Sequence, residues 1–576
     1  MLVVGGIALN RKKILTGALI LTAAGVITRI LGFVYRIYMS NLMGAEGMGL
    51  YQLIMPVYTL AWSIACAGFN TTVSKLTAQE RAKGAYGNMT LMLKQSVIIT
   101  TLLGVLLTFA LYFGAEFMAE HFFADARVVL PLQILSLAFP FMAAGTCFRG
   151  YFIGLQEAKI PAVNQVLEQV VRMVIIYFIA AAFVPRGLEY AAAAALIAIV
   201  GEEIFSFGFV FVAYKLHKKK LRALEAQSWE IKTSQFATNL SAAKTSQNAT
   251  FSSEAKSSSR TSTNTQTALA SAPTTQTKLS FLSAISPSKS LALIFAMALP
   301  LTGNRVAGSL LTAWENVLIP RRLQIFGLPA AEAISEFGRI QGMAVPLIFF
   351  PTAVLTALSV TLVPAVSEAV AAKDYRGISA ITQKALLFAS ITGMGAASLF
   401  FFFAHELGMA IYNQPIGLML QLLGIMCPFI YMQILLSGVL NGLGCQMFIF
   451  RNSLLSSGIS IAFIFLAVPH FGLVGYIFGW LASLVVVIAL GLAKIRQFMP
   501  LEMEFSRWFV RPLLAAAAAG LAARFLFDRY FEFAGQRGGL ALAIVVLMVI
   551  YFAGVVLSGS ISRMEIKSLL RVKIKN

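Results

Sequence analysis

Charge is what this sequence lacks. Only 12% of its 576 residues are charged, while 58% are hydrophobic and the mean hydropathy is +0.80. Soluble globular domains carry about 25% charged residues. Half that density cannot cover a water-facing surface of this size. That excludes a soluble enzyme, a disordered chain and a nucleic-acid-binding domain. Cysteine is scarce too. Cys66, Cys147, Cys427 and Cys445 lie far apart, in or beside apolar runs. They cannot make a disulfide framework or a zinc site and read as small packing residues. The four histidines, His121, His217, His405 and His470, show no metal-ligand spacing. No metal site and no cofactor are expected.

What is present is a series of long apolar runs. A bilayer-spanning helix needs about 20 mostly apolar residues. Fourteen stretches qualify: 14–39, 48–73, 92–114, 129–148, 162–183, 188–214, 290–318, 342–367, 385–404, 416–439, 452–469, 472–493, 509–527 and 539–559. Several contain proline, including Pro56, Pro140, Pro300, Pro346, Pro351 and Pro428. Transmembrane helices tolerate these as kinks, and transporters use them to break helices near binding sites. Arg11, Lys12 and Lys13 before the first run mimic a signal peptide. The run continues past a typical signal core and lacks a cleavage site, so it reads as the first membrane helix.

The basic residues outnumber the acidic ones, 45 to 24, and their positions set a topology. With the N-terminus in the cytoplasm, 33 of the 45 fall in cytoplasmic segments and 7 in external ones. The other five, Arg29, Arg36, Arg172, Arg305 and Arg524, lie inside spans. This positive-inside bias places both termini in the cytoplasm and requires an even number of spans. The expected address is a bacterial cytoplasmic membrane.

Residues 215–289 differ in kind. They open with Lys215, Lys218, Lys219, Lys220 and Arg222 and become rich in Ser, Thr, Gln and Asn. Too few apolar residues remain to pack a core, so a disordered basic cytoplasmic linker is expected. Its basic start suits anionic lipid headgroups. The organisation is then an N-lobe over 1–214, the linker over 215–289, a C-lobe over 290–497, and two further spans with a basic tail over 498–576.

The two lobes show an internal repeat. Residues 132–164 set on 420–452 give nine identities in 33 positions without a gap, among them Pro140/Pro428, Gly150/Gly438, Gly154/Gly442 and Asn164/Asn452. Pro56 likewise meets Pro346, and Arg29 with Gly32 meets Arg305 with Gly308. The matched spans are six apart, so the lobes share one orientation and are related by an axis along the membrane normal. Two such bundles enclose a central cavity, the architecture of an alternating-access transporter. The fold class expected is an all-α polytopic membrane protein of fourteen helices, two pseudo-symmetric six-helix lobes plus two C-terminal helices.

An arginine at the bilayer centre costs at least ~2.5 kcal/mol, so it marks a functional site by default. Arg29 and Arg36 are seven apart and share one helix face. Arg305 sits midway along the equivalent span of the other lobe, and Arg339 lies at the start of span 8. Guanidiniums converging on a cavity suit a phosphate-bearing substrate, which they bind bidentately. Glu168 and Arg172 are spaced for an intrahelical ion pair. Glu202, Glu203 and Glu315 are carboxylates that could bind a coupling proton or sodium ion, or serve as counter-ions. Asn164 and Asn452 read as helix N-caps, with ion or substrate contact as the alternative.

Two segments carry a resemblance. ITRILGFVYRIYMSNLMGAEGMGLYQLIMPVY, residues 27–58, resembles the opening of the stage V sporulation protein B type polysaccharide exporters. These are members of the multidrug/oligosaccharidyl-lipid/polysaccharide (MOP) exporter superfamily. FGRIQGMAVPLIFFPTAVLTALSVTLVPAVSE, residues 337–368, resembles span 8 of that group and of the MurJ-like lipid II flippases. The resemblance implies a MATE-like flippase fold and a polyprenyl-pyrophosphate-linked sugar as cargo, above all the peptidoglycan precursor lipid II. It also implies that Arg29, Arg36 (with a one-residue shift) and Arg339 line the cavity. The arginine expected on span 2 is absent from TLAWSIACAGFN, residues 59–70, and Arg305 is the residue placed to supply its charge. A sodium site of relatives between spans 7, 11 and 12 would fall near Glu315 and Asn452. Ser456 stands there where a second acidic ligand would be wanted.

The resulting reading is a lipid-linked oligosaccharide flippase, not an enzyme, serving cell-wall or sporulation-related polysaccharide synthesis. Sodium, protons or the membrane potential would drive it, and the polyprenyl tail would lie in lipid beside a groove made by spans 13 and 14. The expected partners are the glycolipid, membrane lipids and cell-wall synthesis enzymes, with the chain itself a monomer. The alternatives are a multidrug cation exporter on the same fold and a membrane glycosyltransferase or polymer ligase. The first would prefer a carboxylate-lined cavity; the second needs a catalytic loop that the short external segments lack.

Overall fold

The computed structural model describes residues 3–4, 7–8, 11–83, 85–219, 285–500, 504–530 and 535–560. Most of the expected linker and the basic tail lie outside them. The linker's two ends are described, and both are helical: Leu188–Lys219 runs past its expected start, and a helix begins again at Pro287. A two-residue antiparallel ladder, Val3–Val4 with Ile7–Ala8, is the sole strand pairing among the described residues. Helix dominates everywhere else, as a bilayer requires, because every backbone polar group must be satisfied within its own segment.

Among the described residues, twelve helices are long and apolar enough to cross a membrane. Counting the bent pair Ala126–Ser136 and Phe139–Gly154 as one span makes thirteen. The difference from fourteen lies in the first run, Ile20–Ala82, which counts once at 63 residues. It is interrupted at Gly44, whose φ of 67° and ψ of −170° are non-helical and suit glycine alone. Arg29 and Met55 line one cavity, yet an unbroken helix would set them about 39 Å apart. The chain therefore doubles back at Gly44.

The repeat is visible in the packing. Gly104 lies so close to the 139–140 turn that a Cβ there would come within 2.8 Å of the Phe139 carbonyl oxygen and 2.9 Å of Pro140 Cα. Gly393, 289 residues on, makes the same close approach to Pro428. Gly150 presses on Asn70 in the first half, and Gly438 on Ser359 in the second. One difference breaks the symmetry. The helix before Pro140 bends by 44°, whereas Gly417–Gly442 runs through Pro428 as one helix.

The exterior is apolar. Leu102, Leu106, Phe113, Phe178 and Leu557 are exposed large side chains, as expected of surfaces facing lipid tails. The interior holds a main apolar core shared by both halves, running from Met48, Leu50 and Ile54 to Phe337, Leu420 and Tyr431, with smaller clusters around Phe152 and around Tyr551.

Candidate functional site

Span 8 is not one helix, and the reason is in its sequence. Within GMAVPLIFFPT, Pro346 and Pro351 flank a short helix, Val345–Phe349, and the next helix starts at Thr352. Pro351 has no N–H for the Leu347 carbonyl, which accepts from Phe350 instead at 3.2 Å. The carbonyls freed by the break find side-chain donors. Tyr431 donates to the Ile348 carbonyl at 2.9 Å, and Thr352 Oγ1 to the Phe349 carbonyl at 2.6 Å.

This break forms one wall of a cavity of about 690 Å³ between the two halves. The facing wall comes from the N-terminal half and carries Arg29, Arg36, Arg172, Tyr35, Tyr51 and Gln169. Arg29 Nη1 donates to Thr356 Oγ1 at 3.0 Å, across the gap. Arg36 has no ion-pair or hydrogen-bond partner among the described residues. Arg172 is different: it forms a two-pronged ion pair with Glu202, which is 3% exposed. The cavity thus presents two unneutralised guanidiniums, Arg29 and Arg36, and one neutralised one.

Arg305 and Arg339, expected beside them, do not line this cavity. Arg305 is exposed midway along Pro287–Ile325 with no partner among the described residues. Arg339 lies in a π-helical segment, Gly338–Ala344, before the break, and its Nη1 bonds Glu336 at 2.6 Å. Beginning span 8 earlier than expected turns Arg339 toward its own helix, away from the cavity.

The intrahelical pair Glu168–Arg172 is also corrected. Arg172 takes Glu202 from Leu188–Lys219, and Glu168 takes Arg149, at 2.7 Å. Arg149 lies just beyond the expected span 129–148. The helix Phe139–Gly154 continues past it, so it points into the bundle, bonding Thr146 at 2.9 Å and Ser206 at 3.0 Å. Asn164 is no N-cap. It lies more than a turn inside Lys159–Phe183 and donates to Glu168 at 2.7 Å and Ser206 at 2.9 Å. Glu203, 6% exposed, accepts from Tyr58 at 2.5 Å, while its Oε2 has no partner. This cluster sets three carboxylates, Glu168, Glu202 and Glu203, against two guanidiniums, Arg149 and Arg172.

In the other half, Glu315 has its Oε1 buried without a hydrogen-bond partner. Asn452 is likewise inside its helix, Gln446–Leu466, and donates to the Val487 carbonyl at 3.1 Å. No hydrogen bond joins Asn452 to Glu315. An apolar groove of about 560 Å³ lies between Tyr375–Phe402, Gly417–Gly442 and the helix from Arg511. Span 13 forms it with spans 9 and 10, where spans 13 and 14 were expected. A second apolar cleft, between Leu21–Arg29 and Ala353–Val360, shares Arg29 and Thr356 with the central cavity.

Comparison with known proteins agrees with this geometry. Residues 14–253 match the model of the family described as polysaccharide biosynthesis protein. The chain is 27% identical to stage V sporulation protein B of Bacillus subtilis over 503 residues, 86% of each chain. It is 34% identical to the lipid II flippase MurJ of the same organism over 228 residues, 37% of this chain and 41% of that one. Among solved structures, lipid II flippase MurJ in an inward closed conformation superposes with a TM-score of 0.59 at 11% identity, covering 93% of this chain and 98% of that one. An inward-facing multidrug resistance MATE family transporter of the MOP superfamily gives 0.57 at 14%, covering 84% and 98%. The chain is a homologue of stage V sporulation protein B and MurJ, and its fold is the one these MOP-superfamily structures share.

Proposed function

We propose that this protein is a flippase that carries a polyprenyl-pyrophosphate-linked oligosaccharide from the inner to the outer leaflet by alternating access. The observation that carries the reading is the pair of unneutralised guanidiniums, Arg29 and Arg36, in a cavity between two halves. Two positive charges with no protein counter-ion in a cavity call for a ligand with matching negative charge, and a pyrophosphate supplies it. The apolar cleft sharing Arg29 gives the tail a route to the bilayer while the headgroup stays in the cavity. Lipid II is the cargo favoured by the homology to MurJ. The lining opposes a multidrug cation exporter, which needs free carboxylates where this cavity offers arginines.

The setting proposed is a bacterial cytoplasmic membrane with both termini inside. An inside-negative potential favours outward movement of an anionic headgroup, at about 2.3 kcal/mol per charge per 100 mV. Glu203 and Glu315, each with an unpartnered oxygen, are the proposed sites for a coupling proton or sodium ion. Glu202 is committed to Arg172 and is not. Reconstitution in proteoliposomes tests the function: lipid II should be translocated and cationic drugs should not. Drug efflux without lipid translocation would overturn it.

A further inference from the structure

The cavity has two chemically different walls. The N-terminal wall carries all the charge, with Arg29, Arg36 and Gln169 set among Phe33, Tyr35 and Tyr51. The C-terminal wall is uncharged, and its aromatic residues are the pair Phe349 and Phe350. Consecutive residues on a helix point about 100° apart. Phe349 ends the Val345–Phe349 helix and Phe350 follows it just before Pro351, and both line the cavity.

Neither ring is buried: Phe349 is 37% exposed and Phe350 45%. Each is nonetheless held. Trp480 lies behind Phe349, stacked at 6.4 Å and 15°. Phe33, from the opposite wall, meets Phe350 at 4.7 Å and 37°. Two supported aromatic faces bordering a hydrated, positively charged space call for an amphipathic ligand. A hydrocarbon chain there would strip water from Arg29 and Arg36 and give nothing back. The chain also has apolar clefts elsewhere that suit hydrocarbon better. A pyranose ring meets both demands. Its hydroxyls bond guanidinium and amide groups, and its polarised C–H face rests on the electron-rich face of a ring.

We propose that Phe349 and Phe350 form a sugar platform: they hold a pyranose of the headgroup on the C-terminal wall while Arg29 and Arg36 hold the pyrophosphate on the other. Gln169 supplies an amide to the ring hydroxyls. This rests on the flippase reading and adds the orientation of the cargo, with the headgroup bridging the two halves. Cargo lacking a sugar would reach only one wall.

The test is binding to the full chain in nanodiscs, with two probes: a polyprenyl pyrophosphate without sugar, and the same lipid carrying a pyranose disaccharide. The double variant Phe349→Leu/Phe350→Leu should weaken the sugar-bearing lipid about tenfold and leave the sugarless one within about twofold, with tryptophan at both positions restoring the difference. Equal loss for both lipids, or loss for neither, overturns the platform. Arg29→Ala and Arg36→Ala should weaken both probes alike. Failure of wild type to bind the sugarless lipid would instead overturn the pyrophosphate reading, and the platform with it.

Discussion

Arg29 and Thr356 join the two halves of the molecule inside its central cavity, by a 3.0 Å hydrogen bond between residues 327 positions apart. Thr356 passes the bond on to the Thr352 carbonyl at 2.8 Å, next to the break in span 8. The hydroxyl orients the guanidinium but does not neutralise it, so the charge stays available to an anion.

Removing that charge should therefore cost far more than removing its tether. A hydrogen bond to a charged group is worth about 1.5–3 kcal/mol and a neutral one about 1 kcal/mol. Arg29→Ala and Arg36→Ala are each expected to slow lipid II translocation at least tenfold, with membrane insertion intact. Thr356→Val leaves the guanidinium charge in the cavity and should slow it less than Arg29→Ala does. Initial rates in proteoliposomes decide this, and a wild-type rate for Arg29→Ala would refute the cavity assignment.

Arg305 and Arg339 should separate from that pair. Arg305 is about 27 Å from the nearer end of its helix, too far to snorkel to headgroups. It must meet water, yet it does not line the cavity. Arg305→Ala should slow translocation less than Arg29→Ala. Arg339→Ala should leave the rate unchanged and lower thermal stability, since it leaves Glu336 unpaired. A loss of transport in Arg339→Ala at unchanged stability would return that residue to the cargo site.

The Arg172–Glu202 pair makes a stability prediction. Breaking a buried pair by removing one partner costs about 3–5 kcal/mol, because the other charge is stranded. Glu202→Gln should lower the unfolding temperature in detergent clearly. Arg172→Met/Glu202→Leu should recover most of the loss. If the double variant is as unstable as the single, the pair is not what stabilises this region.

The basic, Ser/Thr-rich stretch between the halves offers a simple deletion. Its composition cannot support a packed core. Removing residues 228–280 should leave translocation near wild type, as read by complementation of a flippase-depleted strain. Loss of function at normal expression would show that the stretch does more than connect.

The bundle, its two halves and Arg29 with Arg36 were legible in the sequence because each rests on local signals: apolar length, charge sidedness and a repeat with proline and glycine in register. Partners were not. Glu168 and Arg172 have ideal helical spacing, but Arg149 and Glu202 on neighbouring helices compete for them and win. Arg149 itself was lost to a boundary, since an apolar-length rule ends a span at the first charge whether or not the helix does. Phe349 and Phe350 read as ordinary apolar residues; that both line the cavity is set by how their segment packs against the other half. The two prolines were visible, but the direction they impose depends on the facing wall.

Gly49 and Gly338 carry the last prediction. They are 289 residues apart, the spacing at which Gly104 and Gly393 repeat, and they meet backbone to backbone: a Cβ on Gly338 would lie 2.6 Å from Gly49 N. Equivalent residues touch each other only at a two-fold axis, so the pseudo-axis relating the halves passes between them. On the proposed flippase reading this contact joins the halves on the outer side of the cavity, and alternating access requires it to part. Gly338→Ala should wedge it, because the added carbon meets backbone that cannot rotate away. Overpacking of this kind costs about 1–3 kcal/mol, which would shift the closed-to-open ratio by roughly five- to 150-fold. A cysteine placed at Met55, which lines the cavity, reports the shift: an impermeant maleimide added outside should label it faster in Gly338→Ala than in the glycine parent. Equal labelling rates with an unaltered fold would mean that the halves part elsewhere.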